Sequence, residues 1–249
     1  MLPRGLFVHG MRSMELPLVA LTGAGISAES GVPTFRGSRG LWRDYKPQDL
    51  ATPEAFRRDP GLVWDWYAWR REVIADCQPN AAHRTLAHIE EKIDDFVVVT
   101  QNVDGLHQAA GSRRVLELHG SIWRLRCTHC DYGREDRRVP LPDLPPHCPH
   151  CRGLMRPDVV WFGEALPRAA METAWSAAAN CRTMLVVGTS AVVEPAASLP
   201  REARRNNARL IEFNPARTPV SRSADEVFRE PAGEALPRWW ARMGAGKRR

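Results

Sequence analysis

Three groups of residues in this 249-residue chain have the types and spacing that do chemistry. The first is a pair of C-x2-C knuckles, Cys127-Thr-His-Cys130 and Cys148-Pro-His-Cys151, with the 17 residues Asp131 to His147 between them. Each knuckle presents two thiolates, and two knuckles complete a tetrahedral sulfur site for zinc with no open position, which makes it structural. Disulfides are the alternative, disfavoured in a chain expected to carry no secretory leader. His129, His147 and His150 lie close enough to substitute as ligands but are expected to be bystanders. The second group is Thr22-Gly23-Ala24-Gly25, delivered by the apolar run Leu18 to Leu21 and followed by Ile26-Ser-Ala28, which can start a helix. A strand, a glycine turn and a helix N-terminus form a phosphate cradle, because free N–H groups and the positive helix end point at one spot. Ala28 stands where the fingerprint G-x-G-x-x-G/A allows alanine, but the ribose-binding acid expected about 20 residues on is missing. Asp44 lies in the polar LWRDYKP stretch rather than at a strand end. A nucleotide here is therefore not held in the ordinary dehydrogenase way.

The third group consists of polar residues that each end an apolar run. Gln101-Asn102-Val103-Asp104 follows Phe96 to Thr100, His119 follows Val115 to Leu118, Gly188-Thr189-Ser190 follows Thr183 to Val187, and Asn214 follows Arg209 to Phe213. In an open α/β sheet, ligands sit outside the carboxyl ends of the strands, so these side chains should face one crevice. His119 is the best general-base candidate, since histidine titrates near neutral pH. A structural histidine, and a capped helix start for residues 101 to 107, are the alternatives.

The elements that must position these groups alternate along the chain. A helix opens at Thr52-Pro53, with threonine as cap and proline in its first turn. Further helices are predicted over 62–76, 81–93 and 168–179, while 36–47 reads as an excursion from the sheet. Residues 156–164 read as extended and aromatic, a backbone that could pair with an extended peptide or pack as an ordinary strand. With 43% hydrophobic residues the chain can bury a full core, as one large domain with a smaller appendage. No stretch reaches the roughly 18 apolar residues needed to span a bilayer. The first 16 residues lack an apolar leader core and an A-x-A site and read as a short extension. The net charge of +6 is spread along the chain apart from the basic end Gly246-Lys-Arg-Arg249, so it reads as a solvated surface and no specific nucleic acid is expected. Cys77 and Cys181 sit among helical residues as inert thiols, which favours a cytoplasmic compartment.

Taken together, GAGISAESGVPTFRG, TQNVDGLH, LELHGS, the paired knuckles, PDVVWFGE and GTSAVVEPAA resemble, in order, the successive motifs of the sirtuins, the NAD-dependent protein-lysine deacylases. The resemblance runs from about Leu18 to Leu236. It implies an α/β fold in which a Rossmann-like parallel sheet binds NAD and a smaller lobe combines a zinc ribbon with a helical insert. On that plan 1–16 is an extension, 17–40, 81–126 and 154–240 form the NAD domain, 41–80 is the helical insert, 127–153 the zinc module and 241–249 a basic tail. Gly23, Ala24 and Gly25 would line the NAD phosphates, and Phe35 and Arg36 would belong to the cofactor loop. Gln101, Asn102 and Asp104 would surround the nicotinamide and its ribose. Gly188, Thr189, Ser190 and Asn214 would hold the adenosine half, with the backbone of Ala232 against adenine. Val160, Phe162 and Gly163 would meet the acyl-lysine peptide. His119 matches the family's base, which deprotonates the ribose hydroxyl system after the acyl oxygen attacks the ribose C1′ and nicotinamide leaves. The implied products are free lysine and O-acyl-ADP-ribose.

The stretch Leu50-Ala51-Thr52-Pro53 with Trp64-Asp-Trp-Tyr67-Ala-Trp-Arg70 resembles the sirtuin subgroup that prefers malonyl, succinyl or glutaryl groups. Tyr67 and Arg70 are three apart and share a helix face. A guanidinium forks onto a carboxylate, a phenol adds a third bond, and Ala51 leaves width for the longer chain. Deacetylation should persist weakly. Glu194 and Glu230 depart from the family pattern and would bring negative charge to the adenine side. The rivals are a plain deacetylase or ADP-ribosyltransferase using the same cleft, and, from another class, a zinc ribbon that binds nucleic acid through its arginines. A monomer is expected, although the sequence does not set the oligomeric state.

Overall fold

The computed structural model describes residues 15–34 and 46–245, so Phe35, Arg36, residues 1–14 of the extension and the last four residues of the basic tail lie outside the described residues. In chain order the strands are β1 (Leu18–Thr22), β2 (Phe96–Thr100), β3 (Val115–Glu117), β4 (Gly120–Cys127), β5 (Gly133–Glu135), β6 (Met155–Val159), β7 (Thr183–Val187), β8 (Arg209–Phe213) and β9 (Glu226–Phe228). The helices are α1 (Pro47–Leu50), α2 (Pro53–Arg58), α3 (Pro60–Ala75), α4 (Ala81–Lys92), α5 (Leu106–Ala109), α6 (Arg168–Asn180), α7 (Leu199–Arg205) and α8 (Ala232–Ala245).

β1, β2, β7 and β8 are near-continuous apolar runs, the signature of parallel strands covered on both faces. They form a six-stranded parallel sheet in the order β3-β2-β1-β7-β8-β9. Alternation along each strand divides the core in two. Leu18, Ala20, Val98, Leu185 and Ile211 face α4 and α8, burying Leu86, Ile89, Leu236 and Trp239. Val19, Leu21, Val99, Val186 and Leu210 face α6 and α7, burying Ala174, Ala178, Leu199 and Ala203. The chain builds outward from β1 in one direction and from β7 in the other. The strand order therefore switches between β1 and β7, where an open α/β sheet leaves a crevice. Thr22, Thr100 and Val187 are in register, so the carboxyl ends bordering that crevice are flush.

The glycine turn leads into a 3₁₀ helix, Ala24–Ser30, rather than an α-helix, closed by Gly31 with φ +94°. The small lobe also differs from the expected boundaries. β4 leaves the large sheet at Gly120, whose φ of +76° turns the chain away. It pairs antiparallel with β5 on one side and β6 on the other. The lobe's sheet thus extends on both sides of 127–153 into segments expected to belong to the large domain. The reason is packing: Ile122, Leu125, Met155 and Val159 bury against Val63, Trp64 and Tyr67 of α3. Trp64 donates its indole N–H to the Met155 carbonyl at 2.9 Å. The buried Arg71 donates to the carbonyls of Ile122 (2.6 Å), Asp136 (2.5 Å) and Arg138 (3.1 Å), bolting α3 to the knuckle module. Of the stretch 156–164 only residues 156–159 are a strand, within β6, which is an edge of the three-stranded sheet. Among the described residues no helix is long and apolar enough to cross a membrane.

Candidate functional site

A cleft of about 1100 Å³ lies between the carboxyl ends of the large sheet and the small lobe. Its floor is the meeting of two glycine turns. Gly25 N–H donates to the Gly188 carbonyl at 2.7 Å, and Gly188 has φ +60°. A Cβ at Gly188 would collide with the Ile26 amide, and one at Gly25 would stand 2.7 Å from the Gly188 oxygen. Both positions therefore require glycine for close approach. The rim is tied together by amides. Gln101 donates to the Thr189 hydroxyl (2.9 Å), Asn214 to the Thr189 carbonyl (2.8 Å), and Asn102 to the Gly23 carbonyl (3.2 Å) and Ser27 hydroxyl (3.1 Å). Gly23, Ala24 and Gly25, together with Ser190, line the same space. No side chain caps the 3₁₀ helix at Gly23, and the amides of Gly23, Gly25 and Ile26 are taken by the carbonyls of Val187, Gly188 and Gly23.

A buried polar layer lies below this floor. Ser27 donates to Asp104 Oδ2 at 2.7 Å, and Asp104 also accepts from Leu106 N–H and, through its carbonyl, from the Trp123 indole at 2.6 Å. Asp104 is thus one layer behind the cleft wall, and burial raises its pKa. Thr22 donates to Thr100, so its oxygen accepts the Nε2–H of His107 at 2.9 Å. Burial pulls His83 down to about 4 and His107 to about 3, which keeps both neutral at pH 7. Ser27, His83 and His107 were not singled out in the sequence. The one available signal is the Asn80-x-x-His83 capping box that starts α4.

His119 stands in the two-residue link between β3 and β4, where the two sheets part. Its Nδ1 is 2.8 Å from the Gln101 carbonyl, which can only accept, so Nδ1 carries the proton and Nε2 the lone pair. Burial moves its pKa below the ordinary histidine value, against the opposing effect of that hydrogen bond. The residue lining the cleft is therefore a neutral imidazole with a basic nitrogen to spare.

At the small-lobe end, Ala51, Trp66, Tyr67 and Arg70 form an inner wall, with Val160, Phe162 and Gly163 beside them. Tyr67 is 1% and Arg70 5% exposed, so a phenol and a guanidinium are committed to the cleft's interior. The guanidinium lies 4.8 Å from the Trp66 ring centroid and 5.9 Å from that of Tyr67. Burial lowers the Arg70 pKa and raises that of Tyr67. At neutral pH the wall thus offers one cation and one neutral hydroxyl, a site built for an anion.

Ala232 opens α8 with its side chain in the core beneath the sheet, which leaves its backbone to meet a ligand. Glu194 does line the cleft, but its charge is paired with Arg201 at 2.6 Å and Ser198 at 2.7 Å. Glu230 pairs with Arg238. Neither carboxylate stands uncompensated on the adenosine side. The cleft also takes in Ala216, Arg217, Leu166, Arg168, Met171 and Glu172, which nothing in their spacing marked.

The four knuckle cysteines are thiols whose Sγ atoms all lie within 4.8 Å of one another. Cys127 and Cys151 are 3.4 Å apart, Cys130 and Cys148 3.7 Å. Four sulfurs on one zinc at about 2.3 Å stand roughly 3.8 Å from each other, so the cluster fits the ion without rearrangement. The His129 amide donates to Cys127 Sγ at 3.3 Å, favouring the thiolate. The site is remote in role from the cleft but shares the small lobe's core through Cys127 and Cys148. Stripping the metal with a chelator is expected to release one zinc per chain and lower Tm by roughly 10 °C, read by metal analysis and calorimetry. Cys77 and Cys181 lie elsewhere, and burial raises both thiols, Cys181 to about 11.

Residues 23–195 match the model of the Sir2 family. The chain is 54% identical over 222 residues to the NAD-dependent protein deacylase of Aquifex aeolicus, covering 89% of this chain and 93% of the relative. It is 53% identical over 226 residues to the enzyme of the same description from Aeropyrum pernix, covering 91% and 92%. A solved complex of a Sir2 homologue with NAD superposes with a TM-score of 0.86 at 47% identity, covering 92% of this chain and 89% of the other. A Sir2 homologue mutant bound to ADP-ribose superposes with a TM-score of 0.89 at 46% identity, covering 92% of both chains.

Proposed function

The chain belongs to the Sir2 family, and from that premise we propose that it is an NAD-dependent protein-lysine deacylase whose preferred substrates carry succinyl or malonyl groups, with weaker action on acetyl-lysine. NAD, when bound, supplies an electrophilic ribose C1′ from which nicotinamide departs. Supporting its position are the paired glycine turns, whose lack of side chains lets the phosphates approach the backbone, and the rim amides of Gln101, Asn102 and Asn214. Asp104 supports the rim from beneath through Ser27, to which Asn102 is also bonded. The neutral His119, held by Gln101, would take a proton at its Nε2 from a ribose hydroxyl of bound NAD. The acyl-lysine side chain enters past Val160, Phe162 and Gly163, and its peptide lies along the rim beside them. Zinc holds the knuckles and takes no part in the chemistry, since four cysteines leave it no open position.

The observation that carries the acyl preference is the burial of Tyr67 and Arg70 in the inner wall. The two side chains bring a cation and a neutral hydroxyl to one wall, and the carboxylate of a dicarboxylic acyl group accepts from both at the end remote from the reacting amide. The free thiols and the absence of a membrane-crossing helix among the described residues support a cytoplasmic site of action. The test is NAD-dependent turnover of one peptide carrying succinyl-, malonyl- or acetyl-lysine. The dicarboxylic forms are expected to exceed acetyl in kcat/KM by about 10- to 100-fold. Equal or reversed rates would return the protein to the plain deacetylase reading.

A further inference from the structure

We propose that Trp161 is a positioning residue for acyl specificity: it fixes the direction of the Tyr67 hydroxyl proton so that Tyr67 can only donate to the acyl carboxylate. This deepens the acidic-acyl reading and rests on it. The indole N–H of Trp161 donates to Tyr67 Oη at 2.9 Å, between two side chains that are 2% and 1% exposed. A phenol keeps its O–H in the ring plane, on one side or the other, so a donor on one side sends the proton to the other. Among the described residues no acceptor receives that proton. A buried donor without an acceptor is unfavourable, and it is satisfied by a ligand oxygen in the space Tyr67 shares with Arg70.

Trp161 can do this only if it does not move, and the structure clamps it from three sides. Arg156 of β6 places its guanidinium carbon 3.1 Å from the indole centroid. The same guanidinium forks onto Glu164, with contacts of 2.6 and 2.9 Å, and donates to the Val159 carbonyl at 2.7 Å. Glu164 in turn accepts the backbone N–H of Trp161 at 2.8 Å. Phe56 of α2 packs on the indole at 5.3 Å between centroids. The next residue, Phe162, donates its backbone N–H to the Ala51 carbonyl at 2.9 Å, joining the loop to the wall on which the acyl group ends. Arg156 and Glu164 thus form an ion pair that holds the indole, with Arg126 as a further partner of Glu164 at 3.3 Å.

The experiment measures dissociation constants of succinyl-lysine and acetyl-lysine peptides without NAD, and kcat and KM with it, for the natural chain, Trp161→Phe, Tyr67→Phe and the double variant. Glu164→Gln serves as a second route to the same effect, and zinc content and Tm accompany each variant. Trp161→Phe is expected to lower the succinyl-to-acetyl affinity ratio about 10-fold, entering KM rather than kcat, because one charge-directed hydrogen bond loses its orientation. In the Tyr67→Phe background the same substitution should change the ratio less than about twofold, since coupled residues are non-additive. Glu164→Gln should lower the ratio by an intermediate amount. An unchanged ratio in Trp161→Phe, or an equal fall with and without the Tyr67 hydroxyl, overturns the proposal. If the natural chain shows no succinyl preference, the acidic-acyl reading itself fails and this one falls with it.

Discussion

His119→Ala is expected to lower kcat for NAD-dependent deacylation by about 10²- to 10⁴-fold, the usual contribution of a positioned general base. The size follows from how the imidazole is held. The Gln101 carbonyl 2.8 Å from Nδ1 selects the tautomer with Nε2 unprotonated, and the histidine sits in the short link where β3 of one sheet hands over to β4 of the other. Neither constraint is replaced by solvent in the alanine variant. Because His119 lies outside the cysteine cluster and, among the described residues, its side chain makes that one hydrogen bond, zinc content and Tm should stay close to those of the natural chain. A variant that loses zinc along with activity would make His119 a structural residue. The pH profile supplies a second check. Burial is the larger influence on His119 and lowers its pKa, so the base is neutral and active at pH 7. Its neutral fraction falls only as pH drops through that lowered value. The acidic limb of kcat/KM should therefore lie below the ordinary histidine value of about 6.5 and vanish in the variant. An acidic limb above about 7 would contradict the assignment.

Arg70→Met should collapse succinyl-lysine turnover, with kcat/KM falling about 100-fold or more, and reverse the succinyl-to-acetyl preference. Methionine keeps the length and apolar contact with Trp66 and Tyr67 but removes the fork that a carboxylate needs. Arg70→Lys should recover only part of the loss, since an ammonium is a single point charge that cannot make two parallel bonds. Most of the effect should appear in KM, because the acyl carboxylate is bound equally in ground and transition states. The neighbouring Asp104 argues the same way. Its carboxylate attracts Arg70 electrostatically, so the cation is partly balanced from behind while its other side faces the cleft. A succinyl rate indifferent to Arg70→Met would remove the guanidinium from the acyl site. Loss of succinyl and acetyl turnover in equal measure would make Arg70 a support of the small lobe, like its neighbour Arg71, which spends its donors on three backbone carbonyls.

Local chemistry was legible wherever a short stretch of chain builds a feature alone. The four cysteines come as two knuckles, each made by four residues, and their spacing predicts the cluster that the fold closes to within 4.8 Å. The apolar runs that become β1, β2, β7 and β8 declare buried parallel strands because each must be covered on both faces. The polar residues that end those runs gather on one rim, since parallel strands in register bring their carboxyl ends together. Tyr67 and Arg70 share a wall because a helix sets residues three apart on one face.

Pairings between distant segments were not legible. Nothing local says that the strand after His119 leaves the large sheet, because its apolar alternation suits either sheet and the choice is made by α3 and β6, which bury against it. Helix packing likewise draws the Ala232 side chain into the core, which its place in the motif does not reveal. The charges of Glu194 and Glu230 look unopposed in sequence and are paired in space by Arg201 and Arg238. The strands and helices, each cysteine knuckle and the polar residues that end the strands follow from contacts within a few residues and are readable in the chain. Which nitrogen of His119 is basic and where the Tyr67 proton can point are settled by the fold. Both answers depend on partners, Gln101 and Trp161, that the chain brings to within hydrogen-bond distance from 18 and 94 residues away.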